Sequence, residues 1–413
     1  MTVTNNNLAV LDLPVWEQMT SAPAGNSGAG VASATDLRGS NRYIYQLYSA
    51  ASFWRFDTYS CTWQQLASPP GGTVGTGTSL VFDPGYGTTI KGSVWAIIAN
   101  TAAPVFYNYD ISTNTWSTAK SITNLPATIG TDSFMCKADP AYNLNGQNTY
   151  SAMSLVTLNA AASAAATTLT VLALPKAIAA NTILNFGTAN APIYAIVSAN
   201  AAQNATSVSV QALATAIPNA AVAPWSDVIY FIGNATTNLY SYSIGLNQWA
   251  QTSSGIPAAV GAGNVLAWLP GYDPDKLLIL RGGATNSIYQ FSMSGTSFGT
   301  LTYQPSTDTF TTGTYACPRI NPLVTVSGNS TNLSNVSSMQ NRLVLQLNAT
   351  GKFYEFDPIG LAMNSLGTQW LVTDGAAVIG DRMNYIVASG VEFIYYQLHT
   401  SATLLRFGLN SQY

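Results

Sequence analysis

The sequence contains few charged residues. Only 8% of its 413 residues are charged, against roughly 25% in an ordinary globular chain. The net charge is −3, and the scattered Lys and Arg argue against a nucleic-acid partner because phosphate binding needs a basic stripe. No apolar run reaches the ~18 residues of a membrane span. The opening MTVTNNNLAVLDLP has neither the basic nor the apolar part of a signal peptide.

Histidine and cysteine are also scarce. A single imidazole, His399, argues against a His-rich metal site, and a Ser-His-Asp triad would depend on it without any G-x-S-x-G elbow. We interpret His399 as a half-buried strand residue. Cys61, Cys136 and Cys317 are too few and too dispersed for a disulfide framework or a zinc site, so we interpret them as core thiols. We predict no catalytic residue, no metal and no cofactor.

Most carboxylates have a structural interpretation. Asp57, Asp110 and Asp357 each follow an aromatic residue and are predicted to cap a turn. Asp273 and Asp275 in GYDPDK lack the remaining ligands of a calcium loop. A glycosidase stays open as an alternative, and it requires two carboxylates about 5–10 Å apart in a central cleft.

What the sequence does contain is short β-strands. Runs of β-branched and aromatic residues bounded by Gly, Asn and Ser predict strands. They are YIYQL (43–47), VWAII (94–98), VIYFI (228–232), LLIL (277–280), RLVLQL (342–347) and FIYYQL (393–398). Convincing helical spacing does not occur outside an Ala-rich middle segment, so the fold class is predicted to be all-β.

Each run is followed by an aromatic anchor, and five of the six anchors are followed, seven positions later, by a second bulky residue. This spacing fits a strand end, a turn and the start of the next strand, so the two side chains are expected to pack together. The anchors are Phe56 with Trp63, Tyr109 with Trp116, Tyr242 with Trp249, Phe291 with Phe298, Phe356 with Met363, and Phe407. Four strands in a period of about 50 residues predict the blade of a β-propeller.

The two ends of the sequence supply the missing pair. Phe407 has no bulky residue seven positions later, whereas Trp16 in LPVWEQMT has no anchor before it. Pairing the two gives a blade with three C-terminal strands and one N-terminal strand, which removes open sheet edges. We predict a six-bladed propeller closed by its N- and C-terminal strands.

The strand-2 run, the aromatic pair and the strand-4 tryptophan resemble the kelch and galactose-oxidase type of propeller, over roughly 340 residues. The Gly-Gly pair expected after strand 2 occurs at Gly282-Gly283, but other blades have Ser49-Ala50 or Gly233-Asn234. The family's blade count and partners are therefore not carried over. Its copper site needs more than one imidazole and is excluded.

An Ala/Thr-rich segment, 154–224, interrupts the pattern. Within it ATTLTVLALPKAIAAN (166–181) recurs as ATSVSVQALATAIPNA (205–220), at an offset of 39, and Lys176 is its one charged residue. We predict a small β-module inserted in blade 3, because loops tolerate insertions whose ends lie close together. The predicted organisation is propeller (1–153), inserted module (154–224) and propeller (225–413).

The repeated phrase A-T-T-L-T-V-x-A-L-P-x-A-I resembles small β-modules of tailed-bacteriophage virion proteins. The resemblance implies a non-enzymatic virion component, in a tail knob or nozzle, collar, fibre or fibre adaptor, assembled in the host cytoplasm. Its expected partners are other virion proteins and copies of itself. The alternatives are capsid decoration, a propeller that binds a host receptor or surface glycan, and a glycan-degrading enzyme. The low-charge composition favours a protein buried in a larger assembly or exposed to extracellular conditions, with a low-charge monomer as the alternative.

Overall fold

The computed structural model describes residues 16–23, 32–36, 40–49, 51–72, 74–83, 92–99, 104–126, 129–130, 133–138, 155–174, 178, 180, 182–186, 193–224, 228–244, 248–252, 255–269, 272–273, 276–293, 297–303, 309–311, 314–319, 342–347, 352–367, 382–388, 391–397 and 403–409. These residues form strands and turns, with no helix among them.

Six antiparallel sheets of four strands form the propeller. Blade 1 contains β2 (Ala32–Thr35), β3 (Tyr43–Leu47), β4 (Phe53–Asp57) and β5 (Thr62–Leu66). Blade 2 contains β6 (Ser79–Asp83), β7 (Ser93–Ile98), β8 (Val105–Asp110) and β9 (Thr115–Trp116). Blade 3 contains β10 (Phe134–Ala138), β17 (Val228–Ile232), β18 (Leu239–Ser243) and β19 (Gln248–Gln251).

The remaining blades follow the same order. Blade 4 contains β20 (Val265–Trp268), β21 (Lys276–Leu280), β22 (Ile288–Ser292) and β23 (Ser297–Leu301). Blade 5 contains β24 (Tyr315–Arg319), β25 (Arg342–Leu347), β26 (Lys352–Asp357) and β27 (Ala362–Gly367). Blade 6 joins β28 (Arg382–Ala388), β29 (Val391–Gln397) and β30 (Leu404–Gly408) to the N-terminal strand β1 (Trp16–Gln18).

The second strand of each blade is buried on both faces, because the sheet packs against a neighbouring blade on either side. In β3 and β25, every residue after the first is buried, and such strands become continuous apolar runs rather than alternating ones. The outermost strands β5 and β23 are mostly exposed or half-buried.

The blades close into a ring. The inner strands contact one another in the cyclic order β2, β6, β10, β20, β24, β28 and back to β2. Blade 6 is completed by β1, whose Trp16 lies opposite Phe407 in β30. The predicted all-β, six-bladed propeller closed by the two ends of the chain is confirmed.

The insertion between β10 and β17 contains β11 (Leu155–Thr157), β12 (Thr168–Thr170), β13 (Ile183–Asn185), β14 (Tyr194–Ile196), β15 (Ser207–Ser209) and β16 (Val222–Pro224). It has its own apolar core, which includes Leu169, Leu184 and Val208.

One cysteine differs from the sequence prediction. Cys136 and Cys317 are buried thiols, but Cys61 is only half-buried. It lies in the turn between β4 and β5 with a positive φ of 55°. Asn114 and Leu361 occupy the matching turns of blades 2 and 5, with φ of 55° and 53°. The interpretation of Cys61 as a core thiol is therefore wrong, because that position is set by turn geometry.

Candidate functional site: the axial channel and the inserted barrel

The anchors named from the sequence lie between blades and form six cross-strand pairs. The pairs are Phe56–Trp63, Tyr109–Trp116, Tyr242–Trp249, Phe291–Phe298, Phe356–Met363 and Phe407–Trp16. In the five all-aromatic pairs the ring centroids are 4.8–5.1 Å apart. Side chains of strands 3 and 4 that face each other across the ladder thus share one face of each blade.

The third strand also explains why the aromatic residues come in pairs. Phe106 and Tyr109 are three positions apart in β8, so they point to opposite faces of the sheet. Phe106 packs against Tyr242 of blade 3 at 4.7 Å, and Phe53 of blade 1 packs against Tyr109 of blade 2 at 4.9 Å. One aromatic residue therefore holds its own blade together and the other reaches the next blade.

In blades 1 and 2, the strand-4 tryptophan forms a hydrogen bond to the preceding blade. The indole of Trp63 donates a hydrogen bond to the carbonyl of Thr20, which follows the outer strand of blade 6, at 2.9 Å. The indole of Trp116 donates to the carbonyl of Ala67, which follows the outer strand of blade 1, at 2.7 Å. These aromatic residues are engaged in closing the ring.

A cavity of about 180 Å³ lies on the axis and is lined by all six inner strands. Small side chains such as Ser33, Ala34 and Ala316 leave this space, and Leu266 and Met383 form part of its apolar wall. All blades begin at the axis and have the same antiparallel order, so their inner strands end at the same mouth of the channel. Along the chain, β10 is followed by β11, the first strand of the inserted segment.

Two buried charges lie at this mouth. Lys137 in β10 is 1% exposed and lies 4.0 Å from the carboxylate of Asp83 at the end of β6. A buried ammonium is tolerated when a carboxylate compensates its charge. The ion pair joins the inner strands of blades 2 and 3.

An ion network joins blades 5 and 6. The guanidinium of Arg319 donates from Nη1 to Glu355 at 2.7 Å and from Nε to Glu392 at 2.5 Å. Arg342 bonds the other oxygen of Glu355 and lies 3.6 Å from Asp357. Burial lowers the pKa of Arg319, but the two carboxylates outweigh it and the net shift is upward. Arg319 is therefore a permanent cation between the two sheets.

This network brings two buried carboxylates, Glu355 and Glu392, to the same guanidinium. Glu355 and Glu392 lie on either side of Arg319 and are 6% and 8% exposed. A glycosidase pair must face a substrate, whereas these groups face a guanidinium. No cluster of three or more His, Cys, Asp or Glu that could hold a metal occurs among the described residues. His399 and Asp275 lie outside them.

The predicted turn caps are confirmed. Asp57 accepts hydrogen bonds from the backbone N–H groups of Tyr59 at 2.9 Å and Ser60 at 3.4 Å. Asp110 and Asp357 do the same in blades 2 and 5. The pKa of Asp57 is lowered to about 2, chiefly by the hydrogen bond from Arg42 and also by the two backbone N–H groups, although burial opposes this shift. These carboxylates are used in turns.

The insertion is a duplicated barrel. Ladders β11–β16, β12–β15 and β13–β14 are linked by the single bridges Leu158–Val171 and Val197–Val210. These two bridges are themselves related by the offset of 39. Contacts between β13 and β16 complete the circuit. We call this unit, 155–224, the inserted barrel.

Its interior follows the repeat seen in the sequence. Leu169, Val171, Leu174 and Ile178 are buried, and so are Val208, Val210, Leu213 and Ile217, 39 positions later. Leu169 lies opposite Val208 in the β12–β15 ladder, so the pseudo-twofold axis passes between them. The described residues of the inserted barrel include no Asp, Glu, Lys or Arg.

Neither the ion network nor the Lys137–Asp83 pair is among the predictions made from the sequence. The available signal was a charged residue within an otherwise apolar strand, as in FMCKA, YACPR and KFYEFD. In a chain with so few charges, such a residue needs a buried counter-charge.

These features define a six-bladed β-propeller whose third blade carries a duplicated β-barrel with no charged side chain among its described residues. No protein-family model matches the chain, and no curated protein matches its sequence. A solved structure titled "Structure of YjhT" aligns with 94% of this chain and 95% of that chain, at 12% identity and a TM-score of 0.45. The assignment of the fold depends on the six four-stranded sheets of this chain and not on that similarity. The described part of the chain has no helix of the length and apolarity that crossing a bilayer requires.

Proposed function

We propose that this protein is a non-enzymatic structural component of a tailed-phage virion. The propeller is a rigid platform, and the inserted barrel contacts neighbouring subunits. The observation that carries the proposal is that the inserted barrel has a closed core of its own and an uncharged described surface. Its place in the particle is the tail knob or nozzle, the collar, a fibre or a fibre adaptor.

The surface of the inserted barrel supports this role. An isolated small domain normally uses surface charge to stay dispersed. The inserted barrel instead exposes Leu172, Tyr194 and Val222, at 51%, 39% and 42%. Apolar groups in a neutral polar surround are typical of an interface that is covered in the assembled state.

The propeller supports it as well. The ion networks and the aromatic anchors hold blades to one another. Among the described residues, Tyr59 and Tyr194 are the exposed aromatic side chains, and they lie on blade 1 and on the inserted barrel. A glycan-binding platform needs aromatic rings grouped on one face, so this alternative has less support than the scaffold.

The enzymatic alternative also has less support. Its carboxylate pair would be Glu355 and Glu392, which are both bonded to Arg319. The virion assignment itself rests on the resemblance of the Ala/Thr-rich repeat to phage modules, together with the low charge of the chain.

The proposal is tested on particles purified from the culture that produces the protein. We expect mass spectrometry to detect the chain at a fixed copy number per particle. Electron microscopy with an antibody against the inserted barrel should locate it at the tail. Particles that lack the chain, while it accumulates as a free protein, would refute the proposal.

A further inference from the structure

Arg55 projects into the junction between blades 1 and 2. It lies in β4, opposite Tyr45 of β3 and Gln64 of β5. Phe53, two positions earlier on the same strand, points to the same face of the sheet and packs against Tyr109 of blade 2. Arg55 is only half-buried, so the junction is open to solvent at this point.

The guanidinium of Arg55 is held by neutral groups. Its Nε donates to the amide oxygen of Gln64 at 2.8 Å, and the Tyr45 hydroxyl accepts a second hydrogen bond from it. Its central carbon lies 4.4 Å from the centroid of the Tyr43 ring, and such stacking orients the planar guanidinium. An arginine has more N–H donors than these two hydrogen bonds use, so Arg55 can bind a further acceptor.

No ion pair joins Arg55 to a carboxylate among the residues that the structure describes. Asp57, in the same strand, accepts two hydrogen bonds from Arg42, at 2.6 and 2.9 Å. Asp110 of blade 2 accepts hydrogen bonds from the backbone and the hydroxyl of Ser112 in its own turn. These two carboxylates are therefore engaged elsewhere.

The phenol groups beside Arg55 do not supply a negative charge either. Burial raises the pKa of Tyr109 to about 12, although the charge of Arg55 opposes this rise. Burial also raises the pKa of Tyr45. Both phenols are thus protonated at pH 7, and the Tyr109 hydroxyl donates to the amide oxygen of Asn114 at 2.7 Å. A cation among neutral dipoles at a solvent-open junction attracts an anion.

We propose that Arg55 binds the carboxylate of an acidic sugar, in the form of a uronic acid unit of a surface polysaccharide. Guanidinium groups bind carboxylates through paired, charge-assisted hydrogen bonds. Thr62 and Gln64, two positions apart in β5, lie on the same face as Arg55 and are exposed. Their hydroxyl and amide groups donate to and accept from sugar hydroxyl groups. We call Arg55, Thr62 and Gln64 the Arg55 site.

The neighbouring side chains favour a sugar over an acidic peptide. Protein partners are bound through apolar and aromatic anchors at the centre of an interface. On this face of β5 the exposed side chains are Thr62 and Gln64, and the next residue of that face, Leu66, is buried. The Tyr59 ring is exposed, but it lies 5.3 Å from the guanidinium carbon of Arg42. Hydroxyl and amide groups beside one cation match the hydroxyl groups and the single carboxylate of a uronic acid.

The Arg55 site goes beyond the proposed structural role. It engages one carboxylate at the junction of two blades and does not need a platform of exposed aromatic rings. The protein therefore keeps its role as a scaffold and adds a contact with a polysaccharide.

The test titrates the full chain with sodium glucuronate, glucose and sodium acetate, followed by ligand-observed NMR. A ligand of the size of glucuronate binds with a dissociation constant of about 1 mM at ordinary ligand efficiency. We expect this value for glucuronate and binding about 10-fold weaker or more for glucose and for acetate, which each supply only one part of the ligand. Arg55→Gln removes the charged hydrogen bonds and should weaken glucuronate binding about 10-fold or more.

Arg281→Gln is the matched control. Arg281 is also half-buried, and its Nε donates to a neutral group, the carbonyl of Ala259, at 3.0 Å. This variant should leave the dissociation constant of glucuronate unchanged. Far-UV circular dichroism and the urea midpoint establish that both variants are folded.

Three results would overturn the inference. Glucuronate does not bind at about 50 mM, well above the expected dissociation constant; acetate binds as tightly as glucuronate, which identifies an adventitious ion only; or Arg281→Gln weakens binding as much as Arg55→Gln. A Gly-Asp-Gly peptide that binds more tightly than glucuronate also overturns it, in favour of a protein partner. These outcomes are independent of the proposed function, which is decided on purified particles.

Discussion

Arg319 offers the sharpest test of how the ring closes, because it neutralises two carboxylates on different blades. Its side chain is 12% exposed, and those of Glu355 and Glu392 are 6% and 8% exposed. Removing one partner of a buried ion pair typically costs about 3–5 kcal/mol, since an uncompensated charge is left behind. Glu355 keeps Arg342, so most of the cost of Arg319→Met arises from Glu392. We expect a loss of about 3 kcal/mol.

The assay is urea unfolding followed by tryptophan fluorescence. For a slope of about 3 kcal/mol/M, a loss of about 3 kcal/mol lowers the midpoint by about 1 M. Arg406→Met is the matched control, because Arg406 pairs with Glu17, whose side chain is 58% exposed. An exposed pair contributes at most about 1 kcal/mol, so the control should shift the midpoint much less.

The pH dependence separates lost charge compensation from lost packing. Removing a cation beside a buried carboxylate raises the pKa of that carboxylate in the folded state. Between its unfolded pKa of about 4.3 and that raised value, the native state binds more protons than the unfolded state, so stability falls as pH rises. The deficit of Arg319→Met should therefore be larger at pH 7 than at pH 4.5. A deficit below 1 kcal/mol, or one that is the same at both pH values, would refute the reasoning.

Three further predictions concern the blades. Phe106→Ala, at a fully buried residue between blades 2 and 3, should cost about 3–5 kcal/mol, measured as a lower urea midpoint; a loss under 1 kcal/mol would contradict the role of the second aromatic. Leu361→Gly should raise the free energy of unfolding by up to about 1 kcal/mol, because glycine adopts the left-handed backbone of this position without strain. Asn114→Gly, in the matching turn of blade 2, should lower the free energy of unfolding, because the Asn114 amide oxygen accepts two hydrogen bonds. The pKa of Asp57 is lowered to about 2, so the ionised carboxylate stabilises the folded protein fully above pH 3.8, and this contribution is lost as the pH falls through 2. In Arg42→Met, an NMR titration should show the pKa of Asp57 moving toward its ordinary value. An unchanged pKa would exclude the Arg42 hydrogen bond as the cause of the shift.

Local spacing made the blade predictable. Strand length, turn length and the seven-residue interval from anchor to bulky residue are properties of adjacent segments, so pairs such as Phe56–Trp63 could be deduced from the sequence. The same holds for the 39-residue repeat of the inserted barrel, whose buried positions Leu169 and Val208 are equivalent in both halves.

The ion network could not be predicted in this way. Arg319 and Glu392 are 73 positions apart, and nothing in the residues near either one indicates the other. Glu355 is a charged residue in a strand whose other interior positions are apolar. That pattern indicates that a counter-charge is needed, but it does not identify the residue that supplies it.

The sequence by itself thus determined the strands, the blade repeat and the duplication, because periodic burial and turn geometry act over short distances along the chain. The pairing of Trp16 with Phe407 followed from the incomplete blade that this repeat leaves at each end of the sequence. The tertiary structure alone decided which charges meet at the mouth of the channel and which apolar side chains of the inserted barrel face outward. Those relations depend on the order of strands around two closed rings, where residues far apart in sequence become neighbours.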